Sequence, residues 1–283
     1  NAAPYQQEAD KILKAINTRL WLKDKGQYAE FVDALGLKCV HESAGLWTVY
    51  HAIDSEIADQ FQQYQALRYV DTQIPHIPFK VKGLENEHFH AVTTTNWMPY
   101  YWSINNVAPA EQFHTALAYW QGGRNEEAYT LLKSMMMDQQ FCGSSPGNFP
   151  MLSIYNTASR NESYRDFADV IGIASRTIVE GLIGLRPDAV HGKMTIKPGF
   201  PASWDFASFS LPYLDFDFKY SGQKSRYTLT QKREKLLVTV LQIPAKSDKV
   251  AALKVNGKPY KYNVLTENVG LPVLEIELPA KAK

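Results

Sequence analysis

Two acidic residues lie close together in an apolar stretch near the start of the chain. Glu30 and Asp33 belong to Gly26–Gly36, which reads GQYAEFVDALG and also contains Tyr28 and Phe31. Apolar surroundings raise the pKa of a carboxyl group. Two carboxyl groups with different pKa values can act as acid and base across a glycosidic bond. Glu30 and Asp33 are therefore the predicted catalytic residues, although a solvated loop acid or a local salt bridge would also explain each of them.

A dense run of aromatic residues lies in Trp97–Trp102 and is followed directly by polar residues that include two amides. A helix buries one stripe of its surface, so these rings cannot all belong to a core. Aromatic faces can pack on the apolar face of a sugar, while amides bind its hydroxyl groups. The predicted substrate-binding residues are Trp97, Tyr100, Trp102, Asn105 and His41.

Other kinds of site have weaker signals. His88 and His90 have a spacing that suits a metal, but no third ligand accompanies them, so no metal is predicted. Cys39 and Cys142 form no metal pattern, and we expect them to be small buried side chains. No phosphate-binding or dinucleotide-binding motif occurs, and no cofactor is predicted. The net charge of +1, without a block of like charge, argues against nucleic-acid and membrane partners.

The apolar pattern changes along the chain from a helical to a strand period. The first helix is predicted over Pro4–Leu22, and the last helical segment ends where Gly184 and then Pro187 stop it. Beyond Phe206 the apolar residues alternate in successive strand-length segments. Asn256-Gly257 lies between two of these segments and predicts a hairpin turn.

Two motifs at this transition resemble a known family. Glu180–Asp188 reads EGLIGLRPD and Gly192–Trp204 reads GKMTIKPGFPASW, with looser similarity in Thr94–Glu111 and Gly26–Gly36. These motifs resemble the six-hairpin glycosidases, which include α-L-rhamnosidase-like and other bacterial polysaccharide-degrading enzymes. The resemblance implies a toroid of helical hairpins, a β-sandwich, and hydrolysis of a polysaccharide or oligosaccharide by a carboxylate pair. It also implies a periplasmic or extracellular location.

The predicted fold is therefore a multidomain α+β fold. Residues 1–188 form the helical-hairpin domain, and residues 189–283 form an antiparallel β-sandwich. About seven helices are predicted, and a closed toroid of six hairpins needs more. The helical part is thus expected to be the second half of a toroid, with Asn1–Pro4 as an internal cut. The expected partners are a carbohydrate substrate and the N-terminal part of the same protein.

Two other functions remain open from the sequence. A polysaccharide lyase would abstract a proton beside a uronate with Tyr or His, and would neutralise the carboxylate with Asn or Arg. Tyr28, His41 and Asn105 would then matter more than Glu30, and a basic cleft would favour this alternative. A non-catalytic piece that binds sugar, or that supports a larger enzyme, is the third possibility.

Overall fold

The computed structural model of the protein contains both α-helices and β-sheets, which confirms the predicted mixed α+β class. It describes residues 2–96, 107–142, 168–247, 249–266 and 268–280. The chain divides into two compact units, Asn1–Thr177 and Ile178–Lys283. The domain boundary predicted at residue 188 lies within the second of these units.

The first unit is mainly helical. Its described α-helices are α1 (Ala3–Arg19), α2 (Leu46–Asp54), α3 (Gln60–Gln73), α4 (Pro109–Gln121), α5 (Asn125–Met136) and α6 (Ala168–Arg176). Two π-helical segments, Met137–Phe141 and Thr177–Leu182, follow α5 and α6. Helix α4 packs against α2, α5 and α6. Closure into a toroid stays a prediction.

Three short hairpins accompany these helices. They pair β1 (Trp21–Leu22) with β2 (Gln27–Tyr28), β3 (Phe31–Val32) with β4 (Val40–His41), and β5 (His76–Phe79) with β6 (Phe89–Val92). The Gly26–Gly36 segment contains β2 and β3, which belong to two different hairpins. The prediction of a buried thiol at Cys39 was wrong, since this residue lies exposed in the loop before β4.

The apolar residues of α1 are only partly covered in the structure. Ile16 and Leu20 pack beside the buried Tyr28. Ile12, in contrast, is 53% exposed and Leu13 is 41% exposed. Helical spacing indicates which residues share a face, but it does not indicate what covers that face.

Gln112 fixes α4 to strand β6. Its side chain is completely buried, its Oε1 accepts a hydrogen bond of 2.7 Å from the backbone N–H of Val92, and its Nε2 donates to the Val92 carbonyl. One amide thus satisfies both backbone groups of a buried strand residue. The start of α4 is therefore held at a fixed position.

We expect Gln112→Ala to lower the free energy of unfolding by about 3 kcal/mol, because it leaves a buried donor and a buried acceptor of Val92 without partners. The control is Gln6→Ala, which removes an exposed hydrogen bond to Asp10 on α1 and should change stability by less than about 0.5 kcal/mol. Urea unfolding of both variants measures the difference. Equal midpoints would contradict the anchoring role of Gln112.

The second unit is built from two larger sheets and a small hairpin. The three-stranded sheet has the order β11 (Lys224–Gln231), β10 (Leu214–Ser221), β9 (Phe206–Leu211). The five-stranded sheet has the order β15 (Asn263–Leu265), β16 (Val273–Leu278), β12 (Val238–Pro244), β8 (Lys193–Ile196), β7 (Leu185–Asp188). The hairpin pairs β13 (Lys254–Val255) with β14 (Lys258–Pro259), and its turn is the predicted Asn256-Gly257, with φ of 50° and 79°.

The two larger sheets share one hydrophobic core. Phe216 from β10 lies in it together with Ile196 from β8 and Leu241 from β12. The β8–β12 pair is parallel, so the five-stranded sheet is mixed and departs from the antiparallel pairing predicted. The β-sandwich arrangement itself stays a prediction.

Candidate active site

The carboxylate of Glu30 lies at the N-terminus of α2. Its Oε2 accepts hydrogen bonds from the backbone N–H of Gly45 at 2.7 Å and from the hydroxyl of Thr48 at 2.5 Å. Its Oε1 accepts a hydrogen bond from the indole N–H of Trp47. Gly45 directly precedes the helix, and a helix N-terminus favours an anion. Three donors around two oxygens suit an ionised carboxylate, which only accepts hydrogen bonds.

The backbone around Glu30 is fixed on both sides. The N–H of Ala29 donates to the carbonyl of Leu20 at 2.7 Å, and the N–H of Glu30 donates to the carbonyl of His41 at 2.7 Å. The residue thus lies between β2 and β3, where two hairpins meet. This local structure holds the carboxylate against the start of α2.

Glu111 is a second carboxyl group, in the first turn of α4. Its Oε2 is buried and has no hydrogen-bond partner among the described residues. Burial, the charge of Glu30 and the charge of Asp169 together raise the pKa of Glu111 to about 8. The first turn of a helix would favour a carboxylate, but burial and two nearby negative charges outweigh that effect. Glu111 is therefore mostly protonated at neutral pH.

Two tyrosines lie near this pair. Burial, followed by the charge of Glu30, raises the pKa of Tyr69 to about 12, and the Tyr69 hydroxyl donates to the carbonyl of Ala44 at 2.9 Å. Burial raises the pKa of Tyr50 further, and the charge of Glu111 adds to the effect. Both phenols stay neutral at physiological pH. They contribute hydroxyl groups and ring surface rather than bases.

His114 stacks on Tyr50, with ring centroids 4.5 Å apart and an angle of 12° between the planes. Burial is the main cause that lowers the pKa of His114 to about 4, and the nearby His51 and Arg176 lower it further. The imidazole is therefore neutral at pH 7. The surroundings of Glu111 thus combine neutral rings with negative charge, which disfavours ionisation of Glu111 itself.

Asp33, the other predicted catalytic residue, has a different environment. Its Oδ1 lies 2.9 Å from Nε2 of His41, and the ring of His41 stacks on Phe31 at 4.0 Å. The side chain of Asp33 is 36% exposed. Asp33 and His41 thus form a partly exposed side-chain hydrogen bond on the β3–β4 hairpin. Their catalytic and substrate-binding roles stay predictions.

Four of the predicted substrate-binding residues, Trp97, Tyr100, Trp102 and Asn105, lie outside the described residues, and their roles also stay predictions. Within the described ranges, no group of three or more His, Cys, Asp and Glu side chains could hold a metal ion. None of the helices described there is long and apolar enough to cross a bilayer.

An open groove of about 550 Å³ lies between the β1–β2 turn and one face of α3. Its lining includes Phe61, Gln65, Arg68 and Tyr69 from the helix, but neither Glu30 nor Glu111. Tyr69 connects the two places, because it lines the groove and its pKa responds to the charge of Glu30. The residues around the carboxyl pair and the groove are thus neighbouring parts of the same unit.

The sequence indicated Glu30 but not its partner. Glu111 lies at the end of Thr94–Glu111, one of the segments that resemble six-hairpin glycosidases, yet nothing in its local sequence marks it as buried. Its pKa depends first on burial and then on the charges of Glu30 and Asp169, which are distant along the chain. The sequence also did not indicate Trp47 and Thr48 as hydrogen-bond donors to Glu30. Their only local signal is their position at the start of a helix.

Comparisons with known proteins leave the family of the chain open. No family model matches the sequence, and no curated protein matches it. Among solved structures, the chain is similar to one described as a putative kojibiose phosphorylase from human microbiome, with 13% sequence identity and a TM-score of 0.38. The similarity covers 83% of this chain and 25% of the other, so the chain spans about a quarter of that protein's length.

Proposed function

We propose that the protein is a glycoside hydrolase, or the C-terminal part of one, that cleaves a glycosidic bond in a polysaccharide or oligosaccharide. The observation that carries the proposal is the carboxyl pair of Glu30 and Glu111. Three hydrogen-bond donors and the N-terminus of α2 surround the carboxylate of Glu30. The Oε2 of Glu111 is buried without a hydrogen-bond partner among the described residues, and a pKa raised to about 8 keeps its carboxyl group mostly protonated at neutral pH.

The two states match the two roles that glycoside hydrolysis requires. Glu111 donates its proton to the leaving oxygen as the glycosidic bond breaks. Glu30 then either activates a water molecule or attacks the anomeric carbon, depending on its distance from the acid. The proposal replaces Asp33 with Glu111 as the partner of Glu30, because Asp33 is partly exposed and paired with His41.

The resemblance to six-hairpin glycosidases supports the same proposal and extends it. It favours a bacterial polysaccharide-degrading enzyme that acts in the periplasm or outside the cell. On this proposal the aromatic run of Trp97–Trp102 supplies binding surface for the sugar, and an N-terminal part of the same protein completes the toroid.

The test is a comparison of Glu30→Gln with Asp33→Asn in the complete gene product. We expect wild type to release reducing ends from at least one member of a plant and microbial glycan panel. Glu30→Gln should then lower kcat by about 10³-fold or more, and Asp33→Asn by less than about tenfold. The reverse order would identify Asp33 as the catalytic residue.

A matched double variant separates chemistry from folding. In Glu30→Gln the new amide NH₂ group faces the indole N–H of Trp47, and two donors then point at each other. Trp47→Phe removes this conflict, so Glu30→Gln/Trp47→Phe should recover stability without recovering turnover. An unsaturated product, detected by its ultraviolet absorbance, would instead establish the lyase alternative and overturn hydrolysis.

A further inference from the structure

The groove beside α3 has a regular helical wall. Phe61, Tyr64, Gln65, Arg68 and Tyr69 line it from one side of the helix, at the spacing that places residues on one helical face. The opposite wall comes from the β1–β2 turn, Lys23–Gln27. The buried Gly26 of this turn has φ of +65°, and a Cβ built on it would lie 3.0 Å from the Gln65 amide nitrogen. The two walls are therefore in close contact at one end of the groove.

The groove combines a flat apolar surface with hydrogen-bonding groups. The ring of Phe61 is 60% exposed and lies 6.4 Å from the ring of Tyr64, with only 22° between their planes. Asn96 also lines the groove, and its Oδ1 is buried without a hydrogen-bond partner among the described residues. A buried acceptor without a partner is unfavourable, so a ligand that donates a hydrogen bond there would be stabilised. An exposed ring beside such an acceptor suits a sugar, which has an apolar face and hydroxyl donors.

The charged groups in the groove have a positive excess. The lining contains three cations, Lys23, Lys25 and Arg68, and two anions, Asp24 and Glu42. Lys25 forms an ion pair with Glu42. Neither Lys23 nor Arg68 forms an ion pair with another residue in the described parts of the chain. Arg68 lines the groove from the same helical face as the exposed Phe61, and its guanidinium can pair with a carboxylate carried by the sugar.

We propose that this groove binds a uronic-acid unit of a glycan, with the sugar ring on Phe61, a hydroxyl group on Asn96 and the carboxylate on Arg68 and Lys23. The inference deepens the proposed function, on which it rests for the role of the bound glycan as substrate. Tyr69 lines the groove and lies near Glu30, so the uronate would bind next to the catalytic pair. The Tyr69 hydroxyl already donates to the Ala44 carbonyl and stays protonated. The groove therefore recognises the uronate without supplying the base for an elimination.

The test is calorimetric binding to the Glu111→Gln variant, which should prevent turnover. The probes are short oligosaccharides of galacturonate, glucuronate, mannuronate and guluronate, each paired with its carboxyl-reduced neutral counterpart. We expect at least one acidic member to bind roughly tenfold more tightly than its reduced form at low salt. Arg68→Gln should weaken this preference and Lys23→Gln/Arg68→Gln should abolish it, whereas Phe61→Ala should weaken binding of the acidic and the neutral form alike. Lys14→Gln, an exposed charge removal on α1, is the matched control and should change neither affinity.

Several outcomes would overturn the inference. They are equal affinity for every acidic and neutral pair, an acidic preference that survives in Lys23→Gln/Arg68→Gln, or tight binding of inorganic phosphate with no binding of any uronate. Failure here is distinguishable from failure of the proposed function. If wild type hydrolyses a neutral glycan but no uronate binds, only the groove assignment falls. If uronates bind as expected but Glu111→Gln turns over as fast as wild type, only the catalytic assignment falls.

Discussion

Glu111→Gln should lower kcat by about 10³-fold on glycosides with poor leaving groups, because the amide has no proton to give to the departing oxygen. On an aryl glycoside with an acidic phenol as leaving group the loss should be much smaller, since such a group departs without protonation. Glu30→Gln should lose activity on both substrates. The wild-type rate should also fall as pH rises through about 8, where Glu111 loses its proton.

The same substitution should stabilise the protein at neutral pH. The pKa of Glu111 rises from 4.5 to about 8 on folding, so wild-type stability is full below pH 4.5 and declines until pH reaches about 8. The neutral amide avoids this decline, and the variant should exceed wild type by about 3 kcal/mol near pH 7. Urea unfolding below and above this pH range measures the difference. A difference that does not grow with pH would show that Glu111 is ionised in the folded protein.

Local signals in the sequence predicted local structure well. The alternation and turn chemistry around Asn256-Gly257 predicted a hairpin, and both residues have the positive φ that such a turn requires. The Gly26–Gly36 segment lacks a helical period and forms short strands. In each case the determining interactions lie within a few residues, so composition and spacing were sufficient.

Features that depend on residues far apart along the chain were not predicted from the sequence. Asp54 is the last residue of α2, and its carboxylate accepts two hydrogen bonds of 2.7 and 2.8 Å from Arg176, which is distant along the chain. Glu111 is a similar case, because burial in the folded unit and then the charge of the distant Glu30 raise its pKa. Pairings over 80 or more residues need the tertiary fold, and a single sequence does not indicate them.

Gly184→Ala should be strongly destabilising, because this glycine combines a left-handed backbone with a close approach of two chain segments. Its φ is +76°, and a Cβ at this position would lie 1.8 Å from the carbonyl oxygen of Lys197. The N–H of Lys197 donates to the Gly184 carbonyl at 2.9 Å, so the two segments cannot separate without losing the start of the β7–β8 pairing. We expect the free energy of unfolding to fall by more than about 4 kcal/mol.

Two other glycines separate the causes of this loss. Gly192 has φ of +70°, and a Cβ added there would meet nothing within 4 Å, so Gly192→Ala should cost about 1 kcal/mol for the backbone alone. Gly172 lies inside α6 with open space and no positive φ, and Gly172→Ala should be neutral or stabilising by up to about 1 kcal/mol. Urea unfolding of the three variants should therefore place Gly184→Ala far below the other two. A loss no larger than that of Gly192→Ala would mean that the β7–β8 segments can move apart, and that the contact with Lys197 does not determine the fold at this position.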